Sequence, residues 1–217
     1  MIWSGFTGAY RTAAVVPAEQ LTPVPVGVSL EQAACIPVAG GTAYSALKQL
    51  KVAPADVVLI HAAAGGVGSA AVQIAQALGA GVIGTASEDN QDYLRELGAF
   101  PVVYGPGLAE RVRAAAEETG PVTAVLDAVG TEESVAATME LLPDRSRAVT
   151  TVPDRQSQEA GIAKVRLEDG RVWEAAALAA EGLLTFTISQ RFPLIEAAEA
   201  LEASRTGHVR GKIVLFP

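Results

Sequence analysis

Residues 57–80 read VVLIHAAAGGVGSAAVQIAQALGA, and the order of patterns inside this stretch decides the fold. VVLIH (57–61) is a continuous apolar run rather than an alternating one, as expected of a strand whose sheet is covered on both faces. Val67, Ala71, Ile74 and Leu78 then recur at intervals of four, three and four, which marks one face of a helix, and Gly79 suits its C-terminal cap. Between strand and helix, Ala62, Gly65 and Gly68 occupy the places of a G-x-x-G-x-x-G loop. Glycine there lets the chain turn tightly, lets a pyrophosphate approach backbone amides and lets helix and strand pack closely. The helix N-terminus adds free N–H groups and a partial positive charge. A glycine triplet can also serve a packing turn alone. Its place directly after a strand and before a helix is what makes Ala62, Gly65, Gly66, Val67 and Gly68 candidates for nucleotide contact.

The alternation continues downstream. GVIGT (81–85), PVV (101–103), VTAVLD (122–127) and RAVTTV (147–152) read as strands. EDNQDYLREL (88–97), LAERVRAAAEE (108–118) and EESVAATMELL (132–142) between them read as helices. Strands joined by crossover-length helices predict an α/β fold with a doubly wound parallel sheet, of the Rossmann type. The flanks differ. TGAYRTAAVVP (7–17) reads as extended, and a proline-punctuated connector leads to a helix near Ser29, where Ser29 and Gln32 form a capping box. After 152 the periodicity is weak until the helical RVWEAAALAAEGLL. LLTFTISQ (183–190) is extended, LIEAAEALEASRTG (194–207) helical and KIVLF (212–216) a terminal strand.

Composition narrows the function. A net charge of −8 disfavours partners with anionic backbones or surfaces, so neither nucleic acid nor a membrane is expected. No apolar run reaches transmembrane length and the first residues lack the pattern of a secretion signal, so a cytoplasmic location is expected. One cysteine, Cys35, and two histidines, His61 and His208, supply no pair at ligand spacing, so no metal site is expected.

HAAAGGVGSAAVQIAQALGA, with PVAGGTAYSAL (37–47) before it and LDAVG (126–130) after it, resembles the medium-chain dehydrogenase/reductase superfamily, in its zinc-free quinone oxidoreductase and enoyl reductase branch. GAYRTAAVVPAEQLTPVPVGVSLEQAACIPVAGGTAY resembles the passage from that family's catalytic domain into its Rossmann domain, and FPLIEAAEALEASRTGHVRGKIVL its return. The resemblance implies a Rossmann domain over 29–182 and, over 1–28 and 183–217, a remnant of a GroES-like catalytic domain whose N-terminal part is not represented. It also implies a small-molecule substrate and a homodimer formed through the last Rossmann strand, RAVTTV, since a Val- and Thr-rich edge is a suitable pairing template.

Cofactor choice follows from the end of the second strand. An acid there holds the ribose 2′-OH in NAD-selective folds; here GTAS places Ala86 at that point, and Ser87 can donate to a 2′-phosphate. NADPH is therefore expected over NADH. Against it stand Glu88 and Asp89, and Asn90 occupies the slot where the resembled branch commonly has Lys; Tyr104 is one position early for that branch's tyrosine. By resemblance, Thr42 is expected near the nicotinamide end and Ala128, Val129 and Gly130 beside a ribose. Their plain readings are a helix-start hydroxyl and strand-end packing.

Among reactive side chains, Cys35 reads as a small buried hydrophobe. His61, at the mouth of the loop, reads as structural, and His208 as a cation at a helix exit. Tyr10, Tyr44, Tyr93 and Tyr104 are long enough to reach a substrate carbonyl, with Tyr44 also a core filler, and Asp127 ends a strand on the crevice side of the sheet. No catalytic residue is assigned. The functions expected are an NADPH-dependent reductase of an activated C=C bond or a quinone or, alternatively, a truncated non-redox relative acting as a binding module or as a biosynthetic cyclase or isomerase.

Overall fold

A computed structural model describes residues 1–3, 5, 8–207 and 209–217. In chain order the strands are β1 (Ile2–Trp3), β2 (Leu21–Thr22), β3 (Val57–His61), β4 (Gly81–Ala86), β5 (Phe100–Val103), β6 (Ala124–Asp127), β7 (Ala148–Thr150), β8 (Ala163–Lys164), β9 (Ile188–Pro193) and β10 (Lys212–Phe216). The α-helices are α1 (Leu30–Cys35), α2 (Gly41–Gln49), α3 (Gly66–Ala77), α4 (Gln91–Glu96), α5 (Leu108–Thr119), α6 (Glu132–Leu141), α7 (Arg155–Glu159), α8 (Arg171–Ala180) and α9 (Ala197–Arg205).

Six strands form one parallel sheet in the order β5-β4-β3-β6-β7-β8. The chain winds outward from β3 to β5 and then restarts at β6 on the other side of β3, which makes the carboxyl end of β3 the switch point where such sheets open a crevice. All five residues of β3 are buried. Val58 and Ile60 pack into one core with α3 residues Ala71, Ile74 and Ala75, whereas Val57 and Leu59 face the opposite core with Leu108 and Val112 of α5 and Val135 of α6. Helices on both faces explain why the strand carries no polar alternation.

The lower edge of the sheet is pinned by one side chain. Arg147, just before β7, donates to the Leu50 carbonyl at 2.6 Å and to the Thr123 carbonyl at 3.2 Å, and its Nη2 lies 2.6 Å from Asp56 Oδ1. Burial pushes the Asp56 carboxyl up, but hydrogen bonds from Thr123, the Ala53 amide and Arg147 outweigh it and hold the group below its ordinary value. The ends of α2, β3, β6 and β7 are thereby tied together.

Three differences between the expected and observed elements bear on the site and its sheet. RAVTTV is not the sheet edge: β7 covers only Ala148–Thr150, and β8 pairs outside it through Val149–Ala163 and Thr150–Lys164. A two-residue strand is too short to leave a periodic trace in sequence, and so 163–164 reads there as a loop. The described part of TGAYRTAAVVP holds no strand and is mostly exposed; the N-terminal pairing is instead Ile2–Trp3 with Leu21–Thr22, antiparallel. Finally, 88–97 begins as a 3₁₀ turn over Glu88–Asn90 before α4. Only half of the expected capping box forms: Ser29 Oγ accepts from the Gln32 amide at 3.2 Å, but the Gln32 side chain turns to the Phe186 backbone, donating to its carbonyl and accepting from its amide, each at 2.7 Å. The reading of His208 lies outside the described residues.

Candidate functional site

The switch point is built from the loop that leaves β3. Ala62 has φ +54°, a left-handed conformation that costs a side chain-bearing residue energy. The turn is closed by the Gly65 amide donating to the Ala62 carbonyl at 3.1 Å, and the Ala63 amide reaches the Thr85 carbonyl of β4 at 2.9 Å. Here α3 begins. Ser29, Thr131 and Asp154 cap α1, α6 and α7 with their side chains; α3, like α2, α4, α5, α8 and α9, has no side-chain cap. The first-turn amides of this 12-residue helix are therefore left for another acceptor.

Each glycine has a distinct steric task. A Cβ on Gly68 would collide with the Ala62 carbonyl oxygen and stand 2.7 Å from Ala63 Cα, so Gly68 is what lets α3 sit against the strand. A Cβ on Gly65 would meet only the Ala62 carbonyl oxygen, at 3.4 Å, and otherwise face open space. Gly66 lies against Lys212 of the C-terminal segment, and half-buried Val67 packs on the core.

That segment closes the site from the far side. The Gly211 amide donates to the Ala64 carbonyl at 2.9 Å, Gly65 and Gly211 form a parallel bridge, and the Lys212 amide donates to the Thr187 carbonyl at 2.8 Å. Between loop and segment lies a cavity of about 350 Å³. Its walls are Ala62, Ala64 and Gly65 of the loop, Ala86, Ser87, Asp89 and Asn90 after β4, Tyr104 after β5, and Gly207, Val209 and Arg210. A neighbouring cavity of about 400 Å³ shares Ala62, Tyr104 and Gly207, and adds His61, Thr85, Val129, Ser134 and others.

The polar groups beneath these cavities are largely committed to one another. Asp127 is fully buried; its Oδ1 accepts from the amides of Val129 at 3.0 Å and Gly130 at 2.9 Å, and its Oδ2 from Ser134 Oγ at 3.2 Å. It organises the loop after β6 and leaves those two amides occupied. His61 lies between Thr85 Oγ1 at 3.3 Å and Thr138 Oγ1 at 3.4 Å. Burial pushes its pKa down to about 4, against the opposing pull of the Asp127 charge, so it is neutral at physiological pH and structural. Cys35 is buried, its thiol pushed up to about 11 by burial, and it donates to the Glu31 carbonyl at 3.3 Å. Tyr44 packs on the core.

Of the residues singled out from sequence, Ala62, Gly65 and Ser87 meet in the first cavity, and Val129 lines the second. Gly66, Val67 and Gly68 of the loop and first turn of α3, Thr42 in the first turn of α2, and Ala128 and Gly130 are in the walls of neither. Ala64, Gly207, Val209 and Arg210 are wall residues that sequence reasoning missed, and Arg210 is the charged one among them. It lies 120 positions from Asn90 in the chain, yet its Nε donates to Asn90 Oδ1 at 2.6 Å. Its position in GHVRGK carried no signal of that meeting.

Comparison with known proteins follows the same outline. A family model described as zinc-binding dehydrogenase matches residues 97–215. The 2-haloacrylate reductase of a Burkholderia species is 32% identical over 97% of this chain and 71% of its own length. The quinone oxidoreductase of Thermus thermophilus, solved also with NADPH, superposes with a TM-score of 0.76 at 29% identity, over 98% of this chain and 74% of that one. An NAD-dependent alcohol dehydrogenase reaches a TM-score of 0.83 at 30% identity, over 97% and 65%. The chain spans only 2% of polyketide synthase GfsB of Streptomyces halstedii, with which it is 43% identical over 143 residues. The family description names zinc, but among the described residues no three His, Cys, Asp or Glu side chains converge, so the donors present do not fit a bound ion. Sheet order, loop sterics and these matches agree: the chain belongs to the zinc-binding dehydrogenase family, within the quinone oxidoreductase and enoyl reductase branch of the medium-chain dehydrogenase/reductase superfamily.

Proposed function

We propose that the protein is a nicotinamide-dependent oxidoreductase that prefers NADPH and delivers hydride to an activated C=C bond or a quinone. The observation that carries this reading is the cavity between the glycine loop and the end of β4, with an uncapped helix N-terminus at one side and Ala86 where an acid would hold a ribose diol. The residues fit the cofactor: Gly65 presents open space to a pyrophosphate, and Ser87 Oγ, which accepts from Asn90 Nδ2 at 2.8 Å, keeps its own proton to donate. When bound, the nicotinamide supplies the hydride; the chain's contribution is to hold and orient the dinucleotide. The Burkholderia and Thermus relatives support the acceptor classes by their names.

Residues 29–182 form the cofactor domain in this reading, with 1–28 and 183–217 belonging to a catalytic domain of GroES type and Thr42 near the nicotinamide. Leu184 and Phe186 are nevertheless buried in the same core as α3, which couples the two parts. The protein pairs with a second copy through the sheet edge at Ala163–Lys164, where both residues are exposed. Sedimentation as a monomer at high concentration would remove that element.

Calorimetric titration with NADPH and with NADH tests the core of the proposal. Micromolar binding favouring NADPH supports it, and NADPH oxidation on addition of a quinone or an α,β-unsaturated ketone completes it. No binding of either dinucleotide would turn the assignment to a non-redox binding module.

A further inference from the structure

We propose that Arg210, from the C-terminal segment, is the residue that selects a 2′-phosphate at this site, an inference that rests on the cofactor reading above. Immediately after β4 the chain runs Ser87, Glu88, Asp89, Asn90, so the local sequence offers two acids and no cation. The fold supplies the positive charge from elsewhere. Gly211 is fastened to Ala64 of the glycine loop, and this tether sets the preceding Arg210 in the wall of the same cavity as Ser87 and Asn90.

The guanidinium is held there by three contacts. Nε donates to Asn90 Oδ1 at 2.6 Å, Nη2 donates to the Asp89 carbonyl at 2.9 Å, and the charge lies 5.2 Å from the centroid of the Tyr93 ring. Tyr93 is itself fastened to β9's approach, its hydroxyl accepting from Thr187 Oγ1 at 3.2 Å. Both hydrogen-bond acceptors are neutral oxygens, and Arg210 makes no ion pair among the described residues. Nη1 has no hydrogen-bond partner among the described residues. A planar, permanently charged fork at this position suits a phosphate better than a ribose hydroxyl. Asn90 has a second function: its Oδ1 holds Arg210 while its Nδ2 donates to Ser87 Oγ. One amide therefore aligns a hydroxyl donor and a cation on the same wall.

The experiment titrates the intact chain calorimetrically with 2′-phospho-ADP-ribose and with ADP-ribose, which isolates the phosphate from the nicotinamide and from turnover. The wild type is expected to prefer the phosphorylated ligand. Arg210→Ala should weaken that ligand by roughly tenfold to a hundredfold, the scale of losing hydrogen bonds to a charged group, while leaving ADP-ribose within about twofold. Arg210 is solvent-exposed, and an unchanged melting curve will show that the variant folds. Adding Asn90→Lys to the Arg210→Ala chain should restore the preference, a rescue that a merely structural arginine would not permit. If the wild type favours the phosphorylated ligand and Arg210→Ala keeps that ratio, the inference is wrong and the cofactor reading stands. Equal binding of the two ligands by the wild type overturns the inference together with the NADPH preference, and leaves dinucleotide binding itself standing. Binding of neither ligand overturns both.

Discussion

Gly68 and Ala62 are in steric register: the space a Cβ would need on Gly68 is taken by the Ala62 carbonyl oxygen. Ordinary overpacking costs about 1–3 kcal/mol, and here the obstruction is backbone at the turn between β3 and α3. Gly68→Ala should therefore lower stability by about 2 kcal/mol or more, read from urea denaturation, and weaken dinucleotide binding with it.

Gly65→Val separates the two effects. Its Cβ meets one atom at 3.4 Å, so stability should change by less than about 1 kcal/mol. The added methyl groups instead enter the cavity, and NADPH affinity should fall at least about a hundredfold, or roughly 3 kcal/mol. Full retention of affinity by a folded Gly65→Val protein would show that the loop does not cradle the pyrophosphate.

Ala62 carries its left-handed φ without the freedom of glycine. Ala62→Gly relieves about 1–2 kcal/mol of backbone strain and forfeits about 0.5–1 kcal/mol to unfolded-state entropy. A net gain of roughly 0.5–1 kcal/mol is expected, seen as a melting temperature higher by about 2 °C. A lower melting temperature would mean that the alanine methyl contributes more than its conformation costs.

His61 makes stability depend on pH. Its folded-state pKa is pushed down to about 4, whereas the unfolded chain binds the proton near the ordinary value of 6.5. Above that value both states are neutral and the contribution is complete. As pH falls the unfolded state takes up the proton first, so stability declines until the folded pKa is passed, by roughly 3 kcal/mol in all. Denaturation midpoints measured from pH 7 to pH 4 should show this slope, and His61→Gln should flatten it. An unchanged slope in the variant would place the titration elsewhere.

Arg147→Ala removes donors from the Leu50 and Thr123 carbonyls and leaves Asp56 without its cation. The pair is only partly buried, with side-chain exposures of 24% and 14%, so a loss of about 2–3 kcal/mol is expected rather than the full cost of breaking a buried pair. Arg147→Lys should recover less than half of it, because an ammonium cannot reach three acceptors in a fixed plane. Asp56 is held below its ordinary value of 3.8, so its share of the stability is present above that pH and fades below it; wild type and Arg147→Ala should converge as the pH drops through this range.

Whatever local sterics and periodicity express could be read along the chain. The apolar run of β3, the four-three-four spacing of α3 and the glycines between them specify a strand, a tight turn and a helix without help from distant residues. Repetition of that unit specifies a parallel sheet. The five longest of its six strands, the N-cap at Ser29 and the burial of Cys35 were legible in this way. The edge of the sheet was not, since the two residues of β8 bear no pattern and exist as a strand only because β7 offers them partners. Nor was the neutrality of His61, because its enclosure depends on α6 arriving overhead with Thr138. The charge of the candidate site likewise arises only on folding. Read along the chain, the segment after β4 is acidic; in three dimensions, the bridge between Gly65 and Gly211 brings Arg210 to Asn90, because hydrogen bonding across the sheet's crevice joins residues that no local periodicity connects.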